Sequence, residues 1–479
     1  MKSIPERGRS SEEIMAALED YRARDVPWRS GKAFGYVFDA HHEALDLGKR
    51  AYLAFLSENG LDPTSFPSLL RLENEVVRMC ATHVHGGDEV VGNFTSGGTE
   101  SIILAVKAAR DRARVLRPEL KAPQMLVPVT AHAAFHKAAH YLAVEIVTFD
   151  VDPVTFEADV ESARAAITDR TIMLVGSAPS YAHGVIDPIP ALASLAKEKD
   201  LWMHVDACMG GLLLPYMEKL GETVAPFDFR VDGVSSLSMD LHKYGFCPKG
   251  ASIVLYRDRE LRKHQLYACS EWTGYTIINA TIQSSKSGGP MAGAWATMQR
   301  MGDDGYLQLT KEMRDATHRY VDGIAAIPGL RVMGKPAMTL VSFTSDELHI
   351  FHIPDLMKKR GWYVQPQLGY AGHRENVHLS ITAANVPHVD AFLADLRSAC
   401  EEARTIPKND EFVNAIASAA ASIDPAKLDQ ATFDNMLAAA GLTGVGVPEQ
   451  SAPINQILQA LPRPVAKAIL IQYVNQLFE

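Results

Sequence analysis

The stretch Ser238–Gly250, SMDLHKYGFCPKG, decides how the rest of the chain is read. It holds an adjacent His242–Lys243 pair, preceded by small and polar residues and followed by Tyr244 and Gly245. A lysine that must bond a carbonyl needs a neutral amine, a fixed position and a nearby anion site. Taken alone, Lys243 reads as a surface lysine in a loop. Two stretches upstream change that reading: His204-Val205-Asp206-Ala207-Cys208, and further back Thr95-Ser96-Gly97-Gly98-Thr99-Glu100-Ser101. A glycine-rich cup opening a helix offers free backbone N–H groups and the positive dipole end to a phosphate. A cup, an aspartate after an apolar run, then a lysine is the layout of a pyridoxal-phosphate (PLP) site.

Around these motifs the chain alternates β-like and helical runs. Apolar stretches at 124–129, 144–149, 171–176, 202–205, 231–237 and 251–256 are separated by helical patterns near 133–142, 156–166, 189–199 and 211–220. Such alternation predicts an α/β fold with a mostly parallel sheet covered on both faces, and ligands at the carboxyl ends of its strands. Asp206 lies at such an end. Before this region, a capped helix is expected at 10–24, another at 40–59 stopped by Asn59-Gly60-Leu61-Asp62-Pro63, and a third at 68–83. Phe34 and Phe38 read as core, and Tyr36, beside Gly35, as a possible site residue.

Beyond Gly288, helices at 292–301 and 306–324 lead into a second α/β unit with strands at 330–333, 340–344 and 377–382 and helices at 353–361 and 386–403. From about residue 404 alanine-rich stretches predict a helical extension that docks on the same chain or on a partner. The expected partition is an N-terminal helical segment (1–70), a PLP-binding large domain (71–315), a small C-terminal α/β domain (316–405) and the extension (406–479).

The 479 residues carry a net charge of −10, which argues against a nucleic-acid partner and provides no basic face for anionic lipid. The five cysteines, Cys80, Cys208, Cys247, Cys269 and Cys400, show no CxxC spacing, so free thiols in a reducing compartment are expected, without a metal site. No apolar run approaches the ~20 residues that span a bilayer. The protein reads as cytoplasmic.

PLP accepts the electron pair released when a bond at the amine's α-carbon breaks. That calls for a carboxylate beside the ring nitrogen, and Asp206 is the candidate; its plainer role is a helix N-cap. Cys208 is small enough to pack against the ring, and a catalytic thiol is the weaker reading. A flat group is wanted on the other ring face, and His132, at a strand-to-helix turn in TAHAAFHKAA, supplies one; by itself it reads as structural.

The motifs TSGGTES, TAHAAFHKAA, SAPSYAHGVIDPI, HVDACMGGLLLPYMEKLG and DLHKYGFCPKGASIVLYRD together resemble the sphingosine-1-phosphate lyases, within the PLP-dependent decarboxylases of the aspartate-aminotransferase fold. The resemblance covers about residues 25–410. It implies PLP fold type I, with a mostly parallel seven-stranded sheet. It also implies a homodimer with shared active sites, and cleavage of a small-molecule amine to a long-chain aldehyde and phosphoethanolamine. By the same resemblance Lys243 carries the cofactor, Asp206 pairs with its ring nitrogen and His132 stacks on it. Gly97, Gly98, Thr99 and His242 hold its phosphate, and Ser285 reaches it from the second subunit. Tyr181, Lys249 and Tyr36 serve the substrate. Asp62 stands where the family has a phosphate-binding histidine, Lys286 where it has arginine and Ser287 where it has proline. Asp62 therefore either reshapes the headgroup pocket or caps a turn before Pro63. Decarboxylation of an amino acid is the alternative outcome of the same cofactor, and an idle PLP-binding scaffold the third.

Overall fold

The computed structural model describes residues 3–40, 42–407, 410–420, 423–439 and 450–478. Its strands, in chain order, are β1 (Val91–Thr95), β2 (Gln124–Pro128), β3 (Glu145–Phe149), β4 (Thr171–Ser177), β5 (Trp202–Asp206), β6 (Val234–Asp240) and β7 (Ser252–Tyr256). They are followed by β8 (Tyr267–Cys269), β9 (Ile277–Asn279), β10 (Leu330–Val332), β11 (Leu340–Ser345), β12 (Gln365–Gln367) and β13 (Asn376–Ser380). The first seven form one sheet in the order β1-β7-β6-β5-β4-β2-β3. Strands β2 to β6 run parallel, while β7 is antiparallel to both of its neighbours. The mostly parallel, seven-stranded α/β sheet expected from the sequence is present.

The central strands β2, β4, β5 and β7 are buried along their whole length, as expected of a sheet covered on both faces. One core face joins Leu126, Leu174, Val205 and Leu237 to the helix Ile189–Glu198; the other joins Met125, Val175 and Trp202 to the helix Gly98–Leu116. Parallel strands place their carboxyl ends on one edge, and Asp206 and Asp240 are the last residues of the adjacent β5 and β6. Strand β6 begins and ends three residues later than the sequence pattern predicts.

The helix Gly289–Ala325 runs from this sheet to the second one, with a kink at Gly302 (φ 64°) where the sequence predicts a break between two helices. The second sheet has the order β10-β11-β13-β12, all antiparallel. It contains a strand, β12, that the sequence reading did not include. Phe34 is core as expected, but in the second unit. It is fully buried among Tyr320, Trp362 and Phe392, and its carbonyl accepts from Ser380 N–H. The β8–β9 hairpin, also absent from the sequence reading, exposes Tyr267 and Ile278.

The C-terminal region is helical, at Asp410–Ala420, Gln430–Ala439, Ala452–Ala460 and Arg463–Leu477. It docks on the second unit of the same chain. Asp355 accepts from Ser451 N–H (2.8 Å), Ser451 Oγ (2.9 Å) and Ala452 N–H (2.8 Å), capping a helix start. Gly369 is clamped between Gln459 and Arg463. Among the described residues no helix is long and apolar enough to cross a membrane.

Candidate active site

A cavity of about 430 Å³ opens at the carboxyl ends of β5 and β6, lined by the Ser96–Glu100 turn, His132, Tyr181, Asp206, Cys208, Asp240, His242 and Lys243. Three stretches far apart in sequence therefore meet where an open α/β sheet places its ligands. Gly97 and Gly98 start the helix Gly98–Leu116, whose first N–H groups face the cavity without a side-chain cap. Glu100 fixes the turn: one oxygen accepts from Ser96 N–H (2.6 Å) and Ser96 Oγ (2.7 Å), the other from Ile282 N–H (2.8 Å). A Cβ on Gly98 would lie 2.8 Å from both Asp240 Oδ2 and Cys208 Sγ, so the cup admits no side chain there.

Asp206 is 7% exposed; its Oδ1 accepts from Cys208 N–H (3.0 Å) and Ser238 Oγ (3.4 Å). Behind it His204 shares Ser236 (2.7 Å) and Ser238 (3.3 Å) and is held neutral, with burial bringing its pKa down to about 4. Burial raises the Cys208 thiol well above the usual range, which removes it as a nucleophile. His132 Nδ1 accepts from Ala134 N–H (3.1 Å), which turns the ring toward the cavity, 6.4 Å and edge-on to Tyr181.

Lys243 Nζ lies 2.8 Å from Asp240 Oδ2. Burial opposes the ammonium, but Asp240 outweighs it and raises the lysine above its ordinary range. His242 Nδ1 accepts from Ala251 N–H (3.1 Å), and burial lowers its pKa to about 4. Tyr181 donates to Gln365 of β12 and packs on His378 with the rings tilted, centroids 4.3 Å apart; burial raises its phenol. Lys249 Nζ donates to the carbonyls of Tyr36 (2.8 Å) and His242 (3.4 Å). Burial first, then the Lys243 charge, brings its pKa down to about 8. Tyr36, at φ 61°, is exposed, with its ring 5.6 Å from Tyr363.

Four of the expected residues, Tyr36, Lys249, Ser285 and Asp62, lie outside the cavity lining of the single chain. Ser285 is exposed. Asp62 is exposed and turned into its own loop: Oδ1 accepts from Thr64 N–H (2.8 Å) and Thr64 Oγ1 (2.7 Å), Oδ2 from Ser65 Oγ (3.3 Å). Asp240, Ser238, His204, Gln365 and His378 belong to the site and were not singled out from sequence. Asp240 stands inside the deciding stretch, but the serine-interrupted run before it, Ser235-Ser236-Leu237-Ser238-Met239, lacks the apolar signal that precedes Asp206.

The donor set fits pyridoxal phosphate. A helix N-terminus with His242 suits the phosphate, Asp206 the ring nitrogen and Lys243 the aldehyde, while Gly98 lets the cup's backbone pack directly against Asp240 and Cys208. Among the described residues no cluster of His, Cys, Asp and Glu could hold a metal.

Residues 3–346 match the pyridoxal-dependent decarboxylase conserved domain, and residues 414–476 match a C-terminal HTH-type domain of pyridoxal-dependent enzymes. The chain belongs to the pyridoxal-dependent decarboxylase family and is a PLP-dependent lyase. Within that family it groups with the sphingosine-1-phosphate lyases. It is 42% identical to the Arabidopsis thaliana sphingosine-1-phosphate lyase over 404 residues, 82% of this chain and 73% of that one. It is 38% identical to the Rattus norvegicus sphingosine-1-phosphate lyase 1 over 411 residues, 85% and 71% of the two chains. The solved structure of a Burkholderia pseudomallei sphingosine-1-phosphate lyase superposes with a TM-score of 0.80 at 37% identity, covering 84% of this chain and 93% of that one. An L-aspartate decarboxylase of Thermococcus kodakarensis is 33% identical, covering 82% of this chain and 98% of its own.

Proposed function

We propose that the protein cleaves the Cα–Cβ bond of a phosphorylated long-chain amino alcohol such as sphingosine 1-phosphate, releasing a long-chain aldehyde and phosphoethanolamine. The observation that carries this reading is sustained identity, 36–42% over about four-fifths of the chain, with proteins named as lyases of that substrate. Bound PLP supplies the electron sink for bond cleavage. Lys243 would hold the cofactor, and Asp206, tethered by Cys208 N–H, would pair with its ring nitrogen. His132, which lines the cavity, would cover one face of that ring. Tyr181, held by Gln365, hydrogen-bonds the substrate hydroxyl. Lys249, whose pKa burial and the Lys243 charge bring down to about 8, has a neutral fraction near neutral pH and is assigned in this reading to take that hydroxyl's proton. Tyr36 borders the headgroup end.

The working unit of this reading is a cytoplasmic homodimer with Ser285 of each chain completing the other's cofactor site. Support comes from the exposed Tyr267, Trp272, Tyr275, Ile278 and Ile282, an apolar surface tied to the phosphate cup through Ile282 and Glu100. Free thiols at all five cysteines suit a reducing compartment. A carboxy-lyase reading is favoured by the identity to the aspartate decarboxylase and by Asp62 and Lys286, which depart from the lyase pattern. Incubation with sphingosine 1-phosphate, the unphosphorylated base and L-aspartate separates these readings. Stoichiometric aldehyde and phosphoethanolamine are expected; carbon dioxide from aspartate with no aldehyde from either base would overturn the assignment.

A further inference from the structure

Asp240 ends β6 and places a carboxylate at the floor of the cavity, 3% exposed. Its Oδ2 is 2.8 Å from Lys243 Nζ and 3.7 Å from His242 Nε2, while its buried Oδ1 has no hydrogen-bond partner. Asp240 touches the phosphate cup directly, since a Cβ on Gly98 would meet both of its oxygens at 2.8 and 2.9 Å. A buried carboxylate with one oxygen unsatisfied, packed against an anion cup, is costly as long as it stays ionised beside a second anion.

We propose that Asp240 is the positioning residue that keeps Lys243 an ammonium until an anion enters the cup, and then takes its proton. The proton has a direct path along the 2.8 Å contact. The Nζ–H bond breaks, an Oδ2–H bond forms, and the ammonium–carboxylate pair becomes a neutral amine and a neutral carboxylic acid. No outside reactant is needed. The acid can then donate a hydrogen bond toward the anion, and the amine has the lone pair that a nucleophilic lysine requires.

The other charged or titratable groups around the pair do not compete. Asp206, from β5, accepts from Cys208 N–H and Ser238. The Cys208 thiol stays protonated, and His242, in the same turn as Lys243, is neutral. Tyr181 donates to Gln365, and Lys249 to two carbonyls. Burial opposes the charge on Asp240, but the Lys243 ammonium outweighs it and holds the carboxyl below its usual range, so before the anion arrives the pair is ionised.

The proposal rests on Lys243 being the cofactor lysine, and its test is independent of turnover. Full-length protein stripped of cofactor is pulse-acetylated across the alkaline range, and the Lys243 peptide is quantified by mass spectrometry with and without inorganic phosphate. The expected midpoint for Lys243 lies above that of the exposed lysines, and phosphate lowers it. In Asp240→Asn the midpoint falls by about one pH unit or more, a tenfold gain in reactivity at fixed pH, and the phosphate response disappears. A wild-type midpoint at or below that of exposed lysines, or one indifferent to phosphate, overturns the proposal. Should Asp240→Asn fail to fold, infrared difference spectra of the wild-type chain with and without phosphate decide. A neutral-acid carbonyl band appearing with phosphate is expected, and its absence refutes the transfer. Mapping the cofactor to another lysine would remove the Lys243 assignment without altering these midpoints.

Discussion

Substituting alanine for each glycine of the phosphate cup in turn separates packing from backbone conformation. Gly97 and Gly98 are adjacent, yet their surroundings differ. A Cβ on Gly97 would meet only His242 Cε1, at 3.4 Å, an ordinary contact, and the residue's φ of 162° is extended backbone open to any side chain. A Cβ on Gly98 would sit 2.8 Å from Asp240 Oδ2 and Cys208 Sγ and 2.9 Å from Asp240 Oδ1. Asp240 cannot swing away freely, because Lys243 holds it, and Cys208 is buried against Ser238. Forcing a methyl group into such a site costs about 1–3 kcal/mol. If that strain falls on the loaded cup, Gly98→Ala weakens PLP binding roughly 5- to 150-fold. Gly97→Ala is expected to stay within about 0.5 kcal/mol of wild type in folding stability. Titration of the stripped protein with PLP, followed by absorbance, reads the binding, and urea unfolding reads the stability. Equal PLP affinity and equal stability for Gly98→Ala and wild type would refute the claim that the cup is packed to contact.

Gln365→Ala leaves the Tyr181 phenol without its acceptor, so kcat is expected to fall about fivefold with KM little changed, in line with the loss of one hydrogen bond of ~1 kcal/mol; steady-state kinetics check the split. If Lys249 takes the substrate proton, kcat rises with pH through about 8, because the depressed amine must be neutral to act. Lys249→Met should lose that limb and about a hundredfold in rate, and an unchanged pH profile would remove Lys249 as the base. Asp187, fully buried, accepts from Ser177 N–H (2.7 Å) and Ala158 N–H (3.0 Å) with its two oxygens. Asp187→Asn turns an amide donor toward one of these N–H groups and should cost about 1–3 kcal/mol by urea unfolding.

The cofactor half of the site was legible in sequence because each piece is local. The cup, the strand-end aspartate and the His–Lys pair are short motifs, and alternating strands and helices bring their ends to one edge of the sheet. Asp240 was passed over for a reason of register: with the strand taken to end at Leu237, the aspartate reads as loop rather than as the strand-end neighbour of Asp206. Gln365 escaped because Gln365-Pro366-Gln367 has no apolar alternation; only its pairing with β13 makes it a strand. Phe34 was read correctly as core, yet its partners lie some 300 residues away and no local pattern could name them. Asp62 illustrates the other limit. Its sequence neighbours Pro63, Thr64 and Ser65 already offered a capped turn, and in the single chain that turn is what it makes.

The central claim is that Lys243, at the carboxyl edge of the parallel strands, is the residue that bonds PLP. Borohydride reduction of the PLP-loaded protein, followed by peptide mapping, tests it most directly. The cofactor's mass is expected on the peptide containing Lys243 and on no other, and Lys243→Ala should bind PLP without retaining it after reduction. A reduced adduct on Lys249 or Lys286, or one that persists in Lys243→Ala, would contradict the account.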